Sequence, residues 1–168
     1  MSLAYLFLVF YFAACLSAAA VSDILTMTIP NRLCLLLAAG FPLAAYLSGM
    51  SLETAALHMA FGLAAFVMGF ALFALNVFGG GDAKLMAATA FWIGPEAALP
   101  FVFDATIVGG IMAIAMIYVR SIAVPATGIV FADRLLSRET GIPFGVALAF
   151  AGLHAYAQGP FLDAALRF

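Results

Sequence analysis

Residues 54–81 read TAALHMAFGLAAFVMGFALFALNVFGGG, a stretch without Asp, Glu, Lys or Arg, and Asp82 follows at once. A helix crosses the hydrocarbon core of a bilayer with about 20 predominantly apolar residues, so this run is longer than a crossing needs. The same test marks Leu3–Ser22 and Leu33–Leu52 upstream, and Leu85–Phe103, Ala105–Val119 and Thr140–Leu162 downstream. Glu96 interrupts the fourth run, and Pro95 and Pro100 are expected to break it. The chain therefore reads as an all-α integral membrane protein with about six transmembrane helices. Residues 1–168 form a single domain, with short loops and no room for an extramembrane domain.

Composition agrees. Hydrophobic residues make up 67% and charged residues 8%, against about 45–50% and about 25% in ordinary soluble domains. Mean hydropathy is +1.22. A soluble fold of this size does not hide that much apolar surface, and the same numbers exclude disorder, collagen, coiled coil and a disulfide scaffold. Six basic against eight acidic residues, a net charge of −2, leave no basic cluster for nucleic acid. Cys15 and Cys34 sit in apolar runs without a CxxC pair, so they read as free packed thiols, and no metal site is expected.

Basic residues gather on the cytoplasmic side of a membrane protein. With the amino terminus outside, Arg32, Lys84, Arg120, Arg134 and Arg138 fall inside and only Arg167 outside. Both termini are therefore placed on the outer side. Ala18-Ala19-Ala20 resembles a signal cleavage site, but no Lys or Arg precedes the apolar run. The longest inner segment mixes Ile129, Phe131, Ala132, Leu135 and Leu136 with Asp133, Arg134 and Arg138. It reads as a short amphipathic helix at the interface, an anchor first and a docking element second.

Charges at membrane depth are expensive and mark functional candidates. Asp23 closes the first span and Asp82 opens the fourth, so this topology sets both at the inner rim. Two close carboxylates do not both ionise readily. The ionised one draws a proton from water, while the protonated one hydrogen-bonds a scissile carbonyl and later supplies a proton. Gly79-Gly80-Gly81 is expected to hold irregular backbone before Asp82, reachable by water. The helix start then offers free N–H groups beside Asp82. Taken singly, an Asp at a helix end reads as a cap or interfacial charge, and three glycines as a turn. Their matching depth in a chain with so few charges is what raises the catalytic reading.

At these residues the sequence resembles a known family. Gly79-Gly80-Gly81-Asp82 matches the GxGD signature of membrane-embedded aspartic proteases, and Ala83-Lys84-Leu85-Met86-Ala87 resembles its continuation in prepilin peptidases. Asp23 with Ile29-Pro30-Asn31-Arg32 resembles that family's first block, and Ile142-Pro143-Phe144-Gly145 its proline–glycine segment before the last helix. The resemblance implies a bacterial inner-membrane enzyme that removes leader peptides from pilin precursors at the cytoplasmic face. It implies Asp23 and Asp82 as the catalytic pair, with Gly79, Gly81, Lys84, Pro30, Asn31, Pro143 and Gly145 supporting them, and no cofactor. The chain lacks the methyltransferase region of larger members and so resembles the short branch serving Flp/tad-type pili. The presenilin group shares GxGD but usually has a tyrosine before its first Asp, where this chain has Ser22.

Among the remaining polar residues, Lys84 reads either as a partner of the dyad or substrate, or as a snorkelling anchor. Asn31 is expected to cap the second helix, with Pro30 fixing its approach. His58 and His154 fall near the outer ends of their spans and read as packing or interfacial polarity. Glu53, Glu96 and Asp163 read as outer-surface charges, and Asp104 has no assigned role. Gly62, Ala65 and Gly69, and Gly109, Gly110 and Ala113, permit close helix contact. The expected partners are a pilin precursor with a basic leader and an apolar helix, and membrane lipid. Asp133 and Glu139 are candidates to attract that leader. The competing readings are a proton- or cation-coupled transporter or channel using the same aspartates, and a non-catalytic pilus-assembly protein.

Overall fold

In hydrocarbon a backbone must satisfy its own hydrogen bonds, and a helix does so within one segment. The computed structural model describes residues 3–165, all of whose regular structure is helical. The helices are α1 (Leu3–Thr26), α2 (Asn31–Leu47), α3 (Leu52–Ala74), α4 (Gly80–Ile93), α5 (Ala98–Ile122), α6 (Val130–Leu136), α7 (Phe144–Ala157) and α8 (Pro160–Ala165). Three of them, α1, α3 and α5, are each long and apolar enough to cross a membrane, while α2 and α7 are apolar but shorter. The fold is thus an all-α, multi-span membrane type. Arg167 and both chain ends, which enter the orientation argument, lie outside the described residues.

Several boundaries differ from the hydropathy reading. The fourth run divides: α4 stops at Ile93, Gly94 takes φ +69, Pro95 follows, and Leu99–Phe103 belong to α5. Pro100 does not break α5, because it falls in the first turn, where its missing N–H costs nothing. The third run ends as a helix at Ala74, and Asn76 with φ 57 turns the chain toward α4. Conversely, α1 continues to Thr26, so Asp23 lies inside its last turn rather than after it. The last run contains α7 and α8, parted at Gln158-Gly159.

The two 14-residue helices α4 and α7 span only about 21 Å at 1.5 Å per residue, short of the roughly 30 Å core. They sit at the centre: α4 packs on α2, α3 and α7, and α7 on α1, α4 and α5. Small residues make this possible. Ala83, Ala87, Ala88 and Ala90 of α4 and Ala147, Ala149, Ala151 and Gly152 of α7 are buried, so the backbones approach closely. Gly62 and Gly69 of α3 face α4, and Gly109 of α5 faces Phe144, whereas a Cβ on Gly110 would touch none of the described residues within 4 Å. Trp92, Phe12, Phe41, Tyr156 and Phe161 form an aromatic cluster in the core. The Trp92 indole N–H donates to the Leu37 carbonyl at 2.7 Å. The outer faces of α3 and α5 are apolar, with Phe66, Val67, Met68, Phe70, Ile107, Ile111, Ile114 and Ile117 exposed.

Thr89 of α4 is fully buried, and among the described residues its hydroxyl finds no hydrogen-bond partner. Leaving such a group unpaired costs about 1–3 kcal/mol. Thr89→Val keeps the shape and removes the hydroxyl, so it is expected to stabilise the protein by about 1 kcal/mol, read as a higher thermal midpoint in detergent. An unchanged or lower midpoint counts against that cost.

A short helix, α6, forms in the longest inner segment, and none of its residues is buried. Asp133 organises the turn before it. Its Oδ1 accepts from the Thr127 N–H and hydroxyl, both at 2.7 Å, and its Oδ2 from the Gly128 N–H at 3.2 Å. These donors hold its carboxyl below the usual carboxylate range. A depressed folded-state value means that the turn is supported above the ordinary Asp range and loses support as pH falls through the lowered value. Amide exchange at Thr127 and Gly128, corrected for intrinsic pH dependence, is therefore expected to hold steady from pH 7 to pH 5 and to accelerate below about pH 4. A loss of protection already near pH 6 contradicts this.

Candidate active site

Asp23 stands in the last turn of α1 and is buried. The chain then reverses through Met27, whose φ of 55 is left-handed. The Ser22 hydroxyl donates to the Thr28 carbonyl at 2.9 Å and the Thr26 hydroxyl to the Ser22 carbonyl at 2.8 Å. This pinned turn folds Ile29 against Gly81, where a Cβ would lie 3.2 Å from the Ile29 Cβ. The end of α1 is thereby set against the start of α4.

Gly79 is the N-cap of α4 with φ −66 and ψ 142, and Gly80 and Gly81 are already helical. The glycines therefore form a cap and first turn rather than the irregular stretch expected from their low helix propensity. The helix proceeds because packing on α3 and Ile29 outweighs an intrinsic cost of about 1 kcal/mol per glycine. Asp82 is the third helical residue, and its carboxylate folds back over the N-cap: a Cβ on Gly79 would lie 2.7 Å from Asp82 Oδ2. The helix start contributes positive potential there.

Asp23 and Asp82 share one cavity of about 280 Å³, lined also by Met27, Thr28, Ile29, Gly79, Gly80 and Gly81. At about 30 Å³ per molecule it has room for several waters. On its other side Asp23 meets α7. The Gly145 N–H, free in the first turn of that helix, donates to Asp23 Oδ2 at 2.8 Å. A Cβ on Gly145 would lie 2.8 Å from both Asp23 Oδ2 and Ile29 Cδ1, so any larger residue there displaces the ends of those side chains. Pro143 is the residue before α7 and has no N–H to satisfy.

Not every supporting residue faces this cavity. Pro30, rather than Asn31, is the N-cap of α2, and Asn31 is the first helical residue. The Asn31 side chain accepts from Lys84 Nζ at 2.9 Å. Both line a neighbouring apolar groove of about 440 Å³ between α2, α3 and α4. Sequence reasoning misses Met27 and Thr28, whose contribution depends on a backbone turn that no local motif announces. It reads Arg120 only as an inner-side charge and Arg134 only as part of an interfacial helix, yet Arg134 donates to the Leu25 carbonyl at 2.7 Å, tying α6 to the end of α1.

The histidines lie at the opposite end of the bundle. His58 is buried, bonds the Phe91 carbonyl through Nδ1 at 2.9 Å, and stacks on Phe41. Asp104 pairs with His154 at 2.6 Å, an arrangement that sequence reasoning leaves without a role.

The model of the type IV leader peptidase family matches residues 10–114, well over half of the chain. The chain belongs to the type IV leader peptidase family. Asp23, Asp82 and the glycines preceding Asp82 lie inside the match, whereas Arg120 and Gly145 lie beyond it. No curated protein and no solved structure matches the chain. Membership supports a peptidase-type hydrolytic activity in general terms, directed at a peptide substrate.

Proposed function

We propose that the chain is an aspartic endopeptidase of a bacterial inner membrane that cleaves the leader from pilin precursors at the cytoplasmic face. The observation carrying this reading is the cavity shared by Asp23 and Asp82, contributed by two helix ends distant in sequence. The ionised member of the pair takes a proton from a water, whose oxygen attacks the scissile carbonyl carbon. The protonated member hydrogen-bonds the carbonyl oxygen as charge develops there. Collapse of the tetrahedral intermediate breaks the C–N bond, and the departing amine takes a proton from the dyad. Water and two carboxyls suffice for this cycle.

On this reading six helices build the membrane bundle, the short α4 and α7 lying at its centre with their ends recessed, and the cavity end faces inward and both termini outward. The precursor's apolar helix occupies the groove lined by Leu35, Leu63, Phe66 and Ala87, beside the cavity. Asp133 is committed to the turn at Thr127 and Gly128, so the exposed Glu139 is the acid left to attract a basic leader. The connections between described spans are short, the longest being 123–143 with α6, which supports the short Flp/tad-type branch and peptidase activity alone. The deciding experiment reconstitutes the protein in lipid vesicles with a pilin precursor. A product shortened by the leader, with the new amino terminus identified by mass, is expected. Intact precursor after prolonged incubation overturns the assignment.

A further inference from the structure

Arg120, in the last turn of α5, spends its guanidinium on uncharged groups. Nε donates to the Leu135 carbonyl at 2.7 Å, Nη1 to the Thr140 carbonyl at 2.9 Å, and Nη2 to the Gly141 carbonyl at 2.8 Å and the Thr140 hydroxyl at 3.2 Å. Among the described residues the side-chain ion pairs involve His58 and His154, not Arg120. The Thr140 hydroxyl in turn has its single proton within reach of the Arg134 and Ser137 carbonyls, at 2.7 and 2.9 Å. Arg138 closes the ring from outside, donating to the Arg120 carbonyl through Nε at 3.2 Å and Nη2 at 3.1 Å.

The gripped segment, residues 135–141, leads within four residues to Gly145, whose N–H holds Asp23. Between them the Phe144 N–H bonds the Ile142 carbonyl at 2.8 Å, and Pro143 restricts the backbone. Little slack separates the guanidinium from the N–H that orients the carboxylate. We propose that Arg120 is a positioning residue for the dyad: it clamps the 135–141 segment so that Gly145 presents its N–H to Asp23. The catalytic part of this proposal rests on the peptidase reading above; the clamp itself does not.

A planar fork explains why arginine stands here. Lysine keeps the charge but not the rigid spread of donors that reaches three carbonyls at once. Arg120→Lys is therefore expected to lower kcat about 10- to 100-fold, the scale of a misplacement of about 1 Å in a catalytic geometry, with KM unchanged within about twofold. Gly145→Ala disrupts the same contact from the other side, so the double variant is expected to be no slower than Gly145→Ala alone. In parallel, hydrogen–deuterium exchange at the Gly145 amide is expected to accelerate at least about tenfold in Arg120→Lys, with exchange in α3 unchanged. Unaltered exchange at Gly145, an unaltered kcat, or losses that simply multiply in the double variant each overturn the proposal. A wild-type protein that cleaves no precursor overturns the peptidase reading alone, and the exchange measurement then still decides the clamp.

Discussion

Asp23→Asn and Asp82→Asn are each expected to abolish processing of a pilin precursor while leaving the protein folded. A positioned acid or base contributes typically about 10²–10⁴-fold, and the two aspartates share one cavity, so neither substitutes for the other. The double variant is expected to be no worse than either single one, because groups acting as a unit are not additive. Folding survives because asparagine is nearly isosteric. At position 23 its amide oxygen still accepts the Gly145 N–H that now reaches Oδ2 at 2.8 Å. The measurement is the single-turnover rate in vesicles, beside helix content and thermal midpoint. Processing at the wild-type rate in either variant removes that residue from the chemistry.

Gly145→Ala is the second large effect, and it comes from one methyl group. The new Cβ would lie 2.8 Å from Asp23 Oδ2 and 2.8 Å from Ile29 Cδ1, well inside van der Waals contact. Either the carboxylate swings away or α7 retreats, and both routes lengthen the bond that orients Asp23. The expected loss in kcat is about 100-fold, with a destabilisation of about 1–3 kcal/mol from overpacking. Gly110→Ala is the control: its Cβ meets nothing within 4 Å, and activity is expected to stay at the wild-type level. Wild-type kcat in Gly145→Ala counts against the orienting role of that N–H.

Much of the candidate site is legible in the amino-acid sequence. Asp23, Asp82 and the glycines stand out because a chain with 8% charged residues offers few places for polar chemistry. Their grouping follows from counting apolar runs. Lys84 and Asn31 read as supporting residues but bond each other beside the groove rather than facing the dyad cavity. Asn31 is not the cap expected of it, since Pro30 already occupies that position. The glycine run joins α4 instead of breaking it, because tertiary packing overrides a local propensity of about 1 kcal/mol per residue.

Hydropathy and charge are sums over neighbouring residues, so the amino-acid sequence by itself determined that this chain is helical, membrane-type and poor in candidate acids. The shortness of α4, the turn at Met27, the Gly145–Asp23 bond and the grip of Arg120 on the α6–α7 connection were decided only in the tertiary structure. In water a helix announces its buried face by an apolar stripe. Here lipid is as apolar as the core, the exposed faces of α3 and α5 look like buried ones, and which faces meet follows from the fit of small side chains in three dimensions.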